Sequence, residues 1–317
     1  MKVTVFLSTY NGAMYLREQI DSILSQNGVD VVLKIRDDCS SDNTQSILEN
    51  YAIYENINIT FGESLGVGKS FMSILYENPA DSDYYAFADQ DDIWDPDKLL
   101  SGIKIMEKLD KEPYLYVCNQ RCVDKEGKFI CNRFPEDFPV QKLHNLLFIN
   151  LYAGCTMIFN QPLFELLTDI NRRPNIDFFD HRIHDAWVSC VASINDAIIF
   201  DSDCHMSFRR HRNNETDAEI TRGVKTSIKT RRLLLRRKIN RFFKKNRRRH
   251  SVEYTAIHLL NGYSDIISAK DKDMLLMVSS YRESLIHKLK LLNSKWLRDA
   301  APEKKMDLIL KALLNDL

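Results

Sequence analysis

The first 110 residues alternate between short apolar runs and segments with helical spacing, and this alternation most constrains the fold. Four runs of strand-forming residues begin near Val3, Val31, Asn58 and Tyr84, and apolar residues at helical spacing follow each run. Strands that alternate with helices form a parallel sheet with helices on both faces. The pattern predicts an α/β fold with a Rossmann-like, mostly parallel central sheet.

An acidic stretch, Asp89-Gln90-Asp91-Asp92, directly follows the fourth predicted strand. Ligands of open α/β sheets bind at the carboxyl ends of strands, and clustered carboxylates repel one another unless a cation is present. Asp89 and Asp91 point the same way in an extended chain, and such oxygen ligands suit Mg²⁺ or Mn²⁺. We therefore favour a metal site over a plain acidic turn for Asp89 and Asp91, and we expect Asp95 to cap the next helix.

Two further polar groups follow the second and third predicted strands, at the same edge of the sheet. Asp37 and Asp38 are placed to accept hydrogen bonds from a ribose or a base edge. Lys69 opens the third helix, where a phosphate contact and a solvated lysine are equally good interpretations. Gly66-Val67-Gly68-Lys69 lacks the spacing of a Walker phosphate loop.

Two candidate groups for chemistry occur in the second half of the chain. His184-Asp185 stands at the start of a predicted helix, a good position for a general base, although plain capping by Asp185 is the alternative. Arg209, Arg210 and His211 follow a predicted strand and could hold a diphosphate, with His211 as a further metal ligand. By composition alone, the same residues form a solvated basic loop.

Composition narrows the class of protein. The chain has 317 residues and is 44% hydrophobic, which is enough for a sizeable core. Its seven cysteines form no disulfide framework or zinc pattern, so we expect a reducing cytoplasm. The sequence shows no apolar segment typical of a signal peptide or a membrane span.

A strongly basic segment divides the chain. Residues 222–250 contain 14 of the 44 basic residues and no Asp or Glu, and their apolar residues form one helical stripe. A cationic amphipathic helix suits an anionic membrane surface, which we favour over nucleic acid; docking on the acidic remainder of the chain is the third alternative. We expect a catalytic domain over residues 1–215 and a basic, helical extension over residues 216–317.

Four motifs occur in order along the chain: Leu7–Gly12, Asp37–Thr44, Asp89–Trp94 and His184–Trp187. In this order they closely resemble glycosyltransferase family 2, the inverting enzymes with the GT-A fold. Within that family, the chain resembles the bacterial rhamnosyltransferase-type branch that builds surface polysaccharide. The resemblance covers about residues 1–215.

The resemblance implies a nucleotide-sugar donor, dTDP- or UDP-linked, and a site with assigned roles. Asp89-Gln90-Asp91 would be the metal-binding motif for Mn²⁺ or Mg²⁺, Asp185 the catalytic base, and Arg209 with His211 would close over the diphosphate. The nucleotide pocket would be lined by Thr9, Tyr10, Asn11, Asp37, Asp38 and Lys69. The acceptor would be a lipid-linked oligosaccharide, which the enzyme would meet at the inner face of the bacterial membrane.

Two other functions remain open at this point. A nucleotidyltransferase also uses metal-binding carboxylates on an α/β sheet, but the turn near Tyr10 contains no Lys or Arg to grip phosphates. A degenerate transferase could act as a binding module through residues 222–250. The presence of both Asp91 and Asp185 favours an enzyme.

Overall fold

The computed structural model describes residues 1–110, 112–194, 196–211, 250–294, 297 and 302–313. These residues form one sheet with the strand order β3-β2-β1-β4-β8-β6-β9-β5, and β7 pairs with β6. The strands are β1 (Lys2–Thr9), β2 (Asp30–Asp37), β3 (Ile57–Phe61), β4 (Tyr84–Ala88), β5 (Ile93–Trp94), β6 (Leu115–Val123), β7 (Phe129–Asn132), β8 (Met157–Asn160) and β9 (Ile198–Arg209).

The first four strands are parallel neighbours, as the alternation of strands and helices predicted. The second half of the sheet is mixed, because β8 runs antiparallel to both β4 and β6. Parallel pairing returns between β6 and β9. The α/β fold class is therefore confirmed, with the parallel part confined to β1–β4 and to the β6–β9 pair.

Helices cover both faces of this sheet. They are α1 (Leu16–Leu24), α2 (Thr44–Tyr51), α3 (Val67–Glu77), α4 (Lys98–Met106), α5 (Leu143–Leu146), α6 (Gln161–Thr168), α7 (His184–Ile194), α8 (Ser251–Tyr263), α9 (Ala269–Ser280), α10 (Leu285–Leu292) and α11 (Pro302–Leu313). Of two 3-10 turns, Gly154–Thr156 precedes β8 and Ile176–Asp180 lies between α6 and α7.

Alternate residues of β1 enter two separate cores, as the twofold period of a strand requires. Val3, Val5 and Leu7 pack with α1, α2 and α4 on one face, whereas Phe6 packs with α3, α6 and α7 on the other. The C-terminal helices α8 and α9 join the Phe6 core.

The helical character predicted for the C-terminal part is confirmed. The basic segment 222–250 lies outside the described residues except for His250, so its predicted helix is not described here. Among the described helices, none combines the length and the apolar character needed to cross a membrane.

Candidate active site

The turn after β1 is held by Gln90, the middle residue of the acidic motif. Gln90 Oε1 accepts hydrogen bonds from Thr9 Oγ1 (2.7 Å) and from the backbone N–H of Tyr10 (2.8 Å), and its Nε2 donates to the Tyr10 carbonyl. Tyr10 itself keeps 53% of its surface exposed. The clamp places an accessible aromatic ring beside the carboxyl ends of β1 and β4.

The loop after β2 is joined to the same turn by side-chain hydrogen bonds. Asn11 has a positive φ of 50°, its N–H donates to Ser40 Oγ, and its Oδ1 accepts from the Ser41 N–H. Buried Asp37 accepts hydrogen bonds from Ser40 and from Gln45 Nε2. Thr9, Tyr10, Asn11 and Asp37 therefore lie in one connected corner of the structure.

Two of the nucleotide contacts expected from the sequence are already engaged within the protein. Asp38 forms a buried ion pair with Arg36 and accepts the backbone N–H groups of Leu65 (2.9 Å) and Gly66 (2.7 Å). Lys69 Nζ lies 2.9 Å from Asp177 and 2.7 Å from Asp180. A lysine balanced by two carboxylates is a weaker candidate for a phosphate contact than the sequence indicated, and Asp38 holds the loop before α3.

The acidic motif forms a compact cluster at the end of β4, which we call the acid cluster: Asp89, Asp92 and Cys155. Their ligand atoms all lie within 4.8 Å of one another. Asp92 is fully buried, and its Oδ2 accepts no hydrogen bond from any described residue. Burial, followed by the negative charges of Asp91 and Asp89, raises the pKa of Asp92 well above its ordinary value.

A buried carboxylate oxygen without a partner, next to a second carboxylate, fits a divalent cation. The sequence predicted Asp89 and Asp91 as the ligands, and the tertiary structure adds Asp92 to the candidates. Cys155, which no sequence pattern singled out as a ligand, also belongs to the cluster. Its thiol is not the oxygen ligand that Mg²⁺ or Mn²⁺ prefers.

Asp91 and His211 meet although 120 positions separate them. His211 Nε2 lies 2.8 Å from Asp91 Oδ2, and both side chains are largely buried. Burial raises the pKa of Asp91, while the hydrogen bond and charge of His211 oppose that rise. The structure thus brings together two of the three predicted metal ligands as a hydrogen-bonded pair.

Arg209 lies beside this pair, in a set of contacts that the sequence did not reveal. Its guanidinium pairs with Glu18 and lies 4.5 Å from the ring centroid of Tyr15, and its Nε donates to the Asp91 carbonyl. The Tyr15 ring in turn lies 5.1 Å from the His211 ring. Helix α1 and the turn before it therefore position both basic side chains over the acid cluster.

Asp185 is held in the first turn of α7. Its Oδ1 accepts hydrogen bonds from Asn150 Nδ2 (2.9 Å) and from the backbone N–H of Ala186 (2.7 Å), and the residue is largely buried. These hydrogen bonds fix the carboxylate and leave Oδ2 as the second acceptor atom. A carboxylate fixed in this way can act as a general base.

The 3-10 turn Gly154–Thr156 brings the first turn of α7 against the acid cluster. A Cβ atom on Gly154 would lie 2.5 Å from His184 Nε2, so only glycine fits there. The next residue, Cys155, belongs to the acid cluster. His184 also stacks on Phe71 and contacts Phe87 of β4. The glycine at position 154 thus serves close packing.

The burial of His184 makes the stability of the folded protein depend on pH. Burial lowers its pKa from 6.5 to about 4, and neither ring nitrogen has a hydrogen-bond partner among the described residues. Between these two pKa values the unfolded chain binds a proton that the folded chain does not, so stability falls as the pH drops from 6.5 towards 4. The full loss is about 3 kcal/mol.

His184→Leu removes this titration. We expect it to reduce the change in unfolding free energy between pH 6.5 and pH 4 by about 3 kcal/mol. Urea denaturation at several pH values measures it, and His287→Leu, at a more exposed position of α10, is the control. An identical pH slope in the wild type and in His184→Leu would contradict this prediction, because it would show that His184 has the same pKa in the folded and unfolded states.

Comparison with known proteins identifies the family of the chain. Residues 4–165 match the family model described as Glycosyl transferase family 2. The chain is 29% identical over 222 residues to dTDP-rhamnosyl transferase RfbG from Shigella flexneri, covering 68% of this chain and 75% of the relative. It is also 29% identical over 167 residues to the uncharacterized glycosyltransferase RP339 of Rickettsia prowazekii, but spans only 51% of that protein.

Among solved structures, the fold is similar to that of TarS residues 1–349 from S. aureus, crystallised in complex with UDP-GlcNAc. The superposition has a TM-score of 0.60 and covers 99% of this chain and 80% of TarS 1–349, at 18% sequence identity. At that identity the similarity concerns the fold.

Proposed function

The chain belongs to glycosyl transferase family 2, and from that membership we propose that it transfers a sugar with inversion from a nucleotide-sugar donor to an acceptor hydroxyl. Rhamnose from a dTDP-sugar is the favoured donor group, with a UDP-sugar as the alternative, because RfbG is named a dTDP-rhamnosyl transferase. The proposed acceptor is a lipid-linked oligosaccharide of bacterial surface polysaccharide synthesis. Family membership favours glycosyl transfer over the nucleotidyl transfer that the sequence alone left open.

One observation carries the proposal: a single turn, Gly154–Thr156, contacts both the residue before Asp185 and the acid cluster. The proposed base, Asp185, and the proposed site of the leaving diphosphate therefore lie on two sides of this turn. Asp185 would take the proton from the acceptor hydroxyl as its oxygen attacks the anomeric carbon. The bond from that carbon to the diphosphate breaks on the opposite face, which inverts the anomeric centre.

The acid cluster and Asp91 would hold Mn²⁺ or Mg²⁺, which supplies positive charge to the departing diphosphate. His211, Arg209 and the turn after β1 would orient the nucleotide above it. Tyr10 has the exposed ring needed to lie against a base. Asp37 would line the same corner, although its carboxylate already accepts hydrogen bonds from Ser40 and Gln45.

A thermal-shift screen with nucleoside diphosphates and their sugars, with and without Mn²⁺, tests the proposal. A ligand that binds only the folded state raises the melting temperature by mass action. We expect a Mn²⁺-dependent rise with dTDP or UDP compounds and none with adenosine diphosphate. A folded protein that responds to no nucleotide would contradict donor binding and favour the degenerate binding module.

Contact with an anionic membrane, at the cytoplasmic face, belongs to the same proposal. Besides the basic segment 222–250, helix α10 supports it. Leu285, Ile286 and Leu289 remain 76%, 66% and 56% exposed, and at 100° per residue they share one face of the helix. Lys288 and Lys290 flank that face on either side, a pattern typical of helices that lie at a lipid interface.

We expect Leu285→Ser combined with Ile286→Ser to weaken binding to phosphatidylglycerol vesicles about tenfold, because two large aliphatic side chains no longer enter the interface. Vesicle sedimentation measures the change. Ile53→Ser, which removes an 80% exposed aliphatic side chain after α2, is the matched control. Equal binding by all three proteins would exclude α10 from the membrane contact.

A further inference from the structure

Arg182, three residues before Asp185, is buried without an acidic partner. The residue keeps 6% of its surface exposed, and the partners that the structure describes for its guanidinium are two backbone carbonyls and one thiol. Its Nε has no hydrogen-bond partner among the described residues. Burial of a cation without an anion is costly, and well-packed apolar side chains often replace buried charged groups without loss of stability. Packing alone therefore does not explain an arginine at this position.

The two carbonyls lie at the end of α5, where a helix leaves backbone acceptors without intrahelical partners. Arg182 Nη2 donates to the Leu146 carbonyl (2.6 Å) and Nη1 donates to the Leu147 carbonyl (2.9 Å). Nη2 also lies 3.5 Å from Cys190 Sγ of α7. The planar fork of an arginine fixes both the distance and the direction of the groups that it binds. The end of α5 is therefore attached to the segment that leads into α7.

A second attachment joins the same two segments at the proposed base. Asn150 lies four residues after the end of α5, and its Nδ2 donates to Asp185 Oδ1 (2.9 Å). Asn150 is exposed, so packing does not fix its side chain, and Asp185 is the partner that the structure describes for its amide group. The position of Asn150 therefore depends on where the segment 146–150 is held, and Arg182 holds the other end of that segment.

We propose that Arg182 is a positioning residue of the active site: it holds the segment 146–150 against the start of α7, so that Asn150 keeps the Asp185 carboxylate aimed at the acceptor hydroxyl. The inference rests on the proposed function, in which Asp185 is the base. Without the guanidinium, the end of α5 loses this attachment, and the hydrogen bond from Asn150 forms in only part of the molecules. Proton transfer needs a base within hydrogen-bond distance of the hydroxyl, and a displacement of about 1 Å can reduce the rate about 100-fold.

A double-mutant cycle on the transfer rate tests this role. Arg182→Met keeps an unbranched side chain without the donors, and Asn150→Ala removes the contact with the base. The rate is the release of nucleoside diphosphate at saturating donor, with membranes that carry lipid-linked acceptor, well below the melting temperature of each variant. We expect Arg182→Met to lower kcat about tenfold in the wild-type background and less than about twofold in the Asn150→Ala background, because Arg182 acts through Asn150. Arg182→Lys, which can reach one carbonyl, should retain an intermediate kcat.

Arg172→Met is the matched control. The Arg172 guanidinium also binds a backbone carbonyl, that of Gly262 in α8, and it pairs with Asp265 just after that helix. We expect Arg172→Met to lower the melting temperature but to keep kcat within about twofold of the wild type. Equal losses of kcat from Arg182→Met in both backgrounds would overturn the proposal, because a general loss of stability would explain them. If Arg182→Met does not fold, Arg182→Lys takes its place in the cycle, and a fully active Asn150→Ala overturns the proposal in either case.

Hydrogen exchange of the segment 146–150, followed by mass spectrometry, tests the attachment without an activity assay. We expect Arg182→Met to raise the exchange rate of its amides about tenfold and Arg172→Met to leave that rate unchanged. Unchanged exchange in Arg182→Met would overturn the attachment. Asp185→Asn separates the inference from the proposed function: a fully active Asp185→Asn contradicts the proposed function, and the exchange rates still decide whether Arg182 holds the segment. An inactive Asp185→Asn together with a fully active Asn150→Ala contradicts the inference alone.

Discussion

Asp185→Asn should reduce the rate of sugar transfer about 10³-fold while the protein stays folded. The substitution keeps the size of the side chain and an oxygen for the hydrogen bonds from Asn150 and Ala186, but the amide cannot take a proton from the acceptor. General bases contribute factors of about 10²–10⁴. Release of nucleoside diphosphate, in the presence of membranes that carry lipid-linked acceptor, measures the rate.

Donor binding separates a chemical role of Asp185 from a structural one. The melting-temperature shift caused by the donor should be the same in Asp185→Asn and in the wild type, since Asp185 acts on the acceptor side. Asp30→Asn is the control, because Asp30 is an exposed carboxylate at the start of β2, at the opposite end of the sheet. A fully active Asp185→Asn would remove this residue from the mechanism.

Asp91→Ala should abolish the Mn²⁺-dependent part of donor binding and lower the transfer rate by at least about 100-fold. The substitution removes a buried carboxylate from the motif, together with the hydrogen bond between Asp91 and His211. Charge on the departing diphosphate would then be poorly compensated, and lost electrostatic stabilisation of this kind typically costs 10²–10³ in rate. Thermal shift with donor and Mn²⁺, together with the rate of transfer, measures both effects.

The neighbouring acidic residue Asp97 supplies the control for this prediction. Asp97 is exposed and lies six positions farther along the chain than Asp91. Asp97→Ala should leave Mn²⁺-dependent donor binding unchanged. His211→Ala should give a smaller loss than Asp91→Ala, because it removes one ligand or phosphate contact and leaves the carboxylate. If Asp91→Ala binds donor and Mn²⁺ as the wild type does, the cation is held by Asp89 and Asp92 alone.

Partners far along the chain bear on two interpretations made from the sequence, and they overturn the first of them. Asp95 was the expected cap of α4, yet its carboxylate pairs with Arg121 of β6, and α4 begins after Asp97 without a side-chain cap. Lys69, a candidate phosphate contact, pairs with two carboxylates more than 100 positions away. Local spacing contains no information about such partners, because they meet only after the strands are ordered in the sheet.

Three features could be predicted from the amino-acid sequence: the alternation of strands and helices, the polar turns at the carboxyl ends of β1, β2 and β4, and the family to which the chain belongs. These features depend on residues close together in the chain, where periodicity and turn chemistry act. How these turns come together in the candidate active site could be learned only from the tertiary structure. It set the contact of Gly154 with His184, the addition of Cys155 to the acid cluster, and the burial of Lys98 against the Trp94 ring. Desolvation and charge pairing depend on which distant segments pack together and exclude water. Only the folded sheet brings those segments into contact.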